Sequence, residues 1–301
     1  MTVRGEIATL DQALEKTLAR LQEVEGQIER QAHAVNNMAD QAKAGANQMI
    51  VGMERERDEL MRMLNEDELR DALLTHAADE APRECCGLLV RSADTQQLHY
   101  MRCANVHPGG DDRFRIAPEA WAAAEDLGEV VAVVHSHPNA SANPSMADRV
   151  GCERSGLPWL IVGWPSGVIK EVAPEGWSAP LVGREFSHGV LDCYSIIQDY
   201  YLRELSIELP DFDRTDDWWT RGEDLYMRNF AEAGFVEVQG ELRPHDGLLM
   251  RIRSEQANHA AVYLGNGVML HHLWGRLSER TVYGGAWQRN TMKVVRHRSL
   301  A

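Results

Sequence analysis

Five consecutive apolar residues, Val130-Val131-Ala132-Val133-Val134, run directly into His135-Ser136-His137-Pro138. A short, fully apolar stretch rich in β-branched residues reads as a buried core strand. No apolar run in the chain is longer, whereas a bilayer span needs about 20 residues. The chain is therefore expected to bury a sheet rather than cross a membrane. The strand empties into two histidines one residue apart, which projects two imidazoles from neighbouring backbone. Pro144-Ser145 follows, and Asp148 lies where a helix is expected to start. Two histidines and one carboxylate form the ligand set of a catalytic zinc whose fourth position is open to water.

The elements around this strand alternate. Residues 66–80 carry an amphipathic helical pattern through Leu69, Leu73, Leu74 and Ala77, ended by Pro82. Cys85–Val90 and Leu98–Cys103 read as neighbouring strands, 117–128 as a helix with Pro near its first turn, and Trp159–Trp164 as another strand. The Pro- and Gly-rich stretch 174–183 is expected to be a linker. Beyond it, 191–205 reads as a helix, followed by strands at Gly247–Ile252, Ala260–Leu264, Val268–Leu270 and Lys293–Arg296. Both units are thus expected to be α+β.

Residues 1–65 differ. They contain no Pro, Trp, Phe, Tyr or Cys, and a 4-3 alternation runs from Leu14 to Met63 with 13 of its 15 positions apolar. That stripe predicts a helical or coiled-coil arm, either one long helix that pairs with a second copy or two helices folded back near residues 36–47. Asn36-Asn37, Gly45 and Gly52 weaken its centre, at about 1 kcal/mol per Gly relative to Ala. The expected organisation is an arm over 1–65, one catalytic domain over 66–175 and a second over 184–301.

Formal net charge is −15, and residues 66–175 alone hold 18 acidic against 9 basic side chains. No third of the chain is basic, which argues against nucleic-acid binding. The five cysteines form no CxxC pair, and the opening Met1–Glu6 lacks the apolar core of a secretory signal. Synthesis in a reducing compartment is expected.

The set His135-x-His137, seven residues, Ser145, two residues, Asp148 resembles the JAMM/MPN metalloprotease family over about residues 66–175. The resemblance implies His135, His137 and Asp148 as Zn²⁺ ligands. It also implies Glu84, in Pro82-Arg83-Glu84-Cys85-Cys86, as general base and then acid, and Ser145 as donor to the oxyanion. Zinc would lower the pKa of a bound water to about 7, and a nearby carboxylate would carry its proton to the leaving amine.

A second constellation begins at Asp192-Cys193-Tyr194, placed by its pattern at the start of a helix, where a thiolate is stabilised. His259 opens a later strand. His271 follows twelve residues on, across Gly265-Asn266-Gly267, a strong hairpin signal. The turn would bring both histidines to one end of a ribbon, giving Cys-His-polar triad logic. His272 competes for the third position, but alternation sends it to the opposite face. These residues look like the NlpC/p60 family of papain-like cysteine peptidases over about 184–297, with Tyr194-Ser195 where many members have Ser-Gly. The resemblance implies cleavage of amide bonds in peptidoglycan stem peptides. With the thiolate paired to His259, Cys193 is expected to have a depressed pKa.

The two domains in this order, over 66–301, resemble the tail-assembly peptidases of lambda-like phages and prophages. That resemblance implies tail-tip proteins as partners, assembly in the host cytoplasm, residence at the virion tail tip, and access to the periplasm and cell wall by delivery. Processing of a tail protein and a purely structural tail-tip role are the alternatives left open.

Overall fold

The computed structural model describes residues 15–30, 51–52, 54–55, 66–109 and 111–301. Residues 15–30 form helix α1, with Leu21 and Val24 buried and Leu18 exposed. Stripe residues Leu14, Ala32–Met49, Met53 and Glu56–Met63 lie outside the described residues. Among the described residues no helix is long and apolar enough to cross a membrane.

The architecture is α+β throughout. Helix α2 spans 66–80 and buries Leu73 and Ala77. A five-stranded sheet has the order β2-β1-β3-β4-β5, from β1 (Cys86–Ser92), β2 (Leu98–Cys103), β3 (Gly128–Pro138), β4 (Trp159–Trp164) and β5 (Val168–Val172). Strand β1 is antiparallel to both β2 and β3, and its near-continuous apolar run is buried between them. Strand β3 continues past the apolar run to Pro138, so His135 and His137 are the last rungs of a core strand rather than loop residues. Helix α3 (Pro118–Leu127) starts with proline in its first turn, where the missing N–H costs nothing. Helix α4 (Met146–Ser155) starts at Ser145 and stops at Gly156, whose φ of 67° suits glycine.

By its contacts the chain divides into two units, and α4 is grouped with residues 170–301 rather than with residues 66–107 and 111–142. In the second unit a six-stranded sheet has the order β10-β9-β8-β7-β11-β6. Its strands are β6 (Phe235–Glu237), β7 (Gly247–Met250), β8 (His259–Gly265), β9 (Val268–His271), β10 (Glu279–Val282) and β11 (Thr291–His297). Helix α5 (Ser195–Leu205) packs Ile197, Tyr200 and Tyr201 into a core with Leu249, Ala260, Val262 and Leu270. Two short helices, α6 (Leu225–Asn229) and α7 (Ala286–Asn290), belong to the same unit. Asn266 and Gly267 both have positive φ, 52° and 72°, as a two-residue hairpin between β8 and β9 requires.

The stretch 174–183 is firmly held. The Glu153 carboxylate accepts the backbone N–H groups of Glu175, Gly176 and Trp177 at 2.8, 3.2 and 2.9 Å. Arg184 is wholly buried and donates to the carbonyls of Pro180 and Ala179 and to Asp199.

Candidate active sites

The first site is assembled at the ends of β1 and β3. Residues two apart on a strand share a face, so β3 presents His135 and His137 together and turns Ser136 the other way. The Ser136 hydroxyl accepts the Cys85 N–H at 2.9 Å, locking the two strand ends. Glu84 is buried in the turn just before β1, not on the strand. Asn105 shapes that turn: its amide donates to the carbonyls of Glu84 and Arg113 at 3.0 and 2.9 Å, while its oxygen accepts from the N–H groups of His107 and Arg115. No periodicity marks an isolated Asn as a clamp, so nothing in the sequence singles it out.

Ligand-type atoms of Glu84, His135 and His137 lie within 4.8 Å of one another. His137 donates its Nδ1 proton to the Ser141 carbonyl at 2.9 Å. That tautomer leaves the Nε2 lone pair aimed at His135 Nε2, 3.1 Å away. Carbonyl-oriented imidazoles are the usual outer support of a metal ligand. The Phe114 ring stacks on His135 with centroids 4.7 Å apart and fixes its plane. The carboxylate of this cluster is Glu84 rather than Asp148; two imidazoles with one tautomer enforced and a carboxylate in reach are donor types that zinc accepts.

Ser145 and Asp148 are brought together as a capping box at the start of α4. The Ser145 N–H donates to Asp148 Oδ2 at 2.7 Å, and the Asp148 N–H donates to Ser145 Oγ at 3.1 Å. Ser-x-x-Asp therefore has a helix-starting role of its own. Because Ser145 Oγ accepts in the box, its hydroxyl proton can still be donated.

The second site lies where α5 meets β8 and β9. Helix α5 begins at Ser195, later than the periodicity predicts, so Cys193 sits in the turn before the helix. Asp192 is the reason. Its buried carboxylate accepts from the N–H groups of Gly189, Tyr194 and Ser195 and from Arg214 Nε, gathering the turn about itself. Cys193 Sγ lies 3.1 Å from the Tyr226 hydroxyl of α6 and makes no hydrogen bond to His259. Burial pushes the Cys193 thiol up to about 11. The Asp192 charge adds to that, while the Tyr226 hydroxyl and the Ala260 N–H pull the other way. The expected depressed pKa is thus corrected: enclosure and a neighbouring carboxylate outweigh the helix terminus.

His259 and His271 do meet. The register pairs Ala261 with His271, which puts His259 diagonally across from His271 on the same face. His259 Nε2 and His271 Nδ1 are 3.1 Å apart. Burial, together with His271 and His272, lowers His259 to about 3. The resting pair is a thiol and a neutral imidazole. Trp287 of α7 covers His271, with ring centroids 4.7 Å apart. His272 points elsewhere, against Phe186 at 5.1 Å. Tyr226 and Trp287 come from short helices far along the chain, and no local spacing ties them to Cys193.

Comparison with known proteins gives these two sites a class. Residues 66–178 match the family of prokaryotic homologs of the JAB domain, and residues 183–296 match the NlpC/P60 family. The chain carries a JAB-type domain followed by an NlpC/P60-type domain. It is 39% identical over 232 residues to tail tip assembly protein K of Escherichia phage N15, covering 76% of this chain and 94% of that protein. It is 43% identical over 187 residues to tail tip assembly protein K of Escherichia phage lambda, covering 61% of this chain and 90% of that protein. The chain belongs to the tail tip assembly protein K family. A solution structure of a protein from Salinibacter ruber (strain DSM 13855) shares 26% identity, covering 40% of this chain and 97% of its own, with a TM-score of 0.26.

Proposed function

We propose that this chain is a tail-tip assembly protein with two hydrolytic centres, a zinc peptidase in its JAB-type domain (66–175) and a cysteine peptidase for peptidoglycan stem peptides in its NlpC/P60 domain (184–301). The observation that carries the reading is the His259–His271 contact at 3.1 Å beside the buried turn that holds Cys193. A buried imidazole pair next to a thiol has a clear chemical use. Cys193 attacks the amide carbonyl as its proton passes to His259. His259 returns that proton to the leaving amine, and water then hydrolyses the thioester. Proton transfer accompanies attack because the resting pair is neutral. The thiol must first turn from Tyr226 to His259, a tightening common when substrate binds.

In the other domain His135, His137 and Asp148 would hold zinc. When bound, zinc supplies Lewis-acid polarisation and water activation. Glu84, buried beside the two histidines, accepts a proton from the attacking water and delivers it to the leaving amine. The Ser145 hydroxyl donates to the developing oxyanion. Glu84→Gln is therefore expected to keep zinc while turnover falls by about 10²–10⁴-fold, the usual worth of a general base. Release of zinc by Glu84→Gln, read by elemental analysis, would make Glu84 a ligand instead.

The partners are tail-tip proteins and stem peptides, with self-association through residues 1–65. The protein would act in the host cytoplasm during assembly, and at the tail tip and periplasm on delivery. Mass spectrometry of purified murein incubated with the full chain tests the cysteine centre. Stem peptides cut at one amide by the wild type and left intact by Cys193→Ala are expected. Equal cutting by both proteins would remove Cys193 from the chemistry.

A further inference from the structure

Three adjacent strands place a third group in line with the two histidines. The register sets Glu279 of β10 directly opposite His271 of β9, and β9 in turn places His271 diagonally across from His259 of β8. All three side chains therefore share one face of the sheet. His271 is buried, its Nδ1 meets His259 Nε2 at 3.1 Å, and its Nε2 lies 3.7 Å from the Glu279 carboxylate without a hydrogen bond to any group. A buried ring N–H that has no acceptor except a carboxylate just beyond hydrogen-bond range needs only a small side-chain rotation to be satisfied.

We propose that Glu279 is the end of a four-membered line, Cys193–His259–His271–Glu279, and acts as a positioning residue that sets the tautomers of both histidines. The inference rests on the reading of Cys193 as nucleophile. The carboxylate accepts the Nε2 proton of His271, so His271 Nδ1 carries a lone pair and accepts the Nε2 proton of His259. That leaves His259 Nδ1 as the basic atom for the Cys193 proton. No proton leaves the line: the thiol proton resides on His259 Nδ1 until the leaving amine takes it, while Glu279 remains an anion that favours the transient imidazolium. The family motif gives no hint of this residue. It stands on an edge strand of four residues, eight positions after His271, in a polar stretch.

The charges around the line define what else could influence it. His271 faces Glu279 from β10, Arg276 from the following loop and His259 from β8. His259 faces His271 and feels the charge of His272 from the other side of the sheet. Cys193 faces Asp192, Arg214 and the Tyr226 hydroxyl. Among these, Glu279 is the group whose charge raises the proton affinity of His271, against burial and Arg276.

The test is the rate of iodoacetamide alkylation of Cys193 in the full chain across pH, read by peptide mapping, for wild type, Glu279→Gln, Glu279→Ala and His259→Ala. Glu279→Gln keeps an acceptor and removes the charge, as isolates the electrostatic part. It is expected to slow alkylation at pH 7 by about 3-fold, the scale of a partly exposed ion pair. The pH midpoint should move upward and the melting temperature should stay unchanged. Glu279→Ala, which removes the acceptor as well, should slow alkylation further. A pH profile identical to wild type in both Glu279 variants, with His259→Ala still slowing the reaction, would overturn the role of Glu279 alone. Indifference of Cys193 to His259→Ala would overturn the nucleophile reading beneath it.

Discussion

Arg214→Ala is expected to destabilise the NlpC/P60-type domain by about 3–5 kcal/mol, the cost of leaving a buried charge without its partner. The guanidinium donates to Asp192 at 2.9 Å, to Asp211 at 2.8 Å and to the Phe212 and Gly189 carbonyls. It also lies over the Tyr194 ring at 5.0 Å. Asp192 is fully enclosed. Burial alone would raise its pKa, but Arg214 and the N–H groups of Ser195 and Gly189 hold the carboxyl below its usual range. A carboxyl with a lowered folded pKa contributes stability that is complete above its unfolded value and is lost as pH falls through the folded value. The variant should therefore lose most at neutral pH and unfold at a higher pH on acid titration than the wild type. Urea unfolding at pH 7 with a parallel acid titration reads both. A loss below about 1 kcal/mol, the range of an exposed ion pair, would mean that this pair does not hold the Cys193 turn.

Zinc binding should be lost outright in His135→Ala/His137→Ala. Elemental analysis of the wild type should give about one zinc per chain, as expected when both Nε2 atoms converge beside Glu84. Substituting alanine removes two of the three proposed ligands and leaves no imidazole on that face of β3. The strand itself should survive, because its pairing with β1 is backbone bonding and its apolar run is untouched. Metal loss is thus expected to cost activity far more than folding. Circular dichroism of the variant separates the two effects. Zinc retained at wild-type stoichiometry would place the metal elsewhere.

The chain shows its central strands openly in sequence and hides its edges. Val130–Val134 and Cys85–Val90 are legible because strands buried on both faces must be apolar at every position. Strands β6 and β10 have three and four residues, and Glu279-Arg280-Thr281-Val282 carries no alternation, because an edge strand can leave its side chains in solvent. Helix α5 starts later than the apolar spacing from Leu191 predicts, because Asp192 ties up the N–H groups that would open the helix there. The histidines were legible through strand period and a turn signal, both local. The groups around Cys193 were not, since Tyr226 and Arg214 reach it from 33 and 21 residues away. Its raised pKa follows from that enclosure, which no motif spacing encodes. The Ser145–Asp148 pair carries two messages at once, a ligand spacing and a helix cap, and the cap is the one visible in its hydrogen bonds.

The most direct test of two separate hydrolytic centres is to incubate purified murein and purified tail-tip proteins with four full-length proteins: wild type, Cys193→Ala, Glu84→Gln and His135→Ala/His137→Ala. Products are read by mass spectrometry. The expected result is two cleavages with independent losses. Stem-peptide cutting should vanish only in Cys193→Ala, and cutting of a tail protein should vanish in both JAB-domain variants and persist in Cys193→Ala. Stem-peptide cutting that survives Cys193→Ala, or wild-type protein that cuts neither substrate, would contradict it.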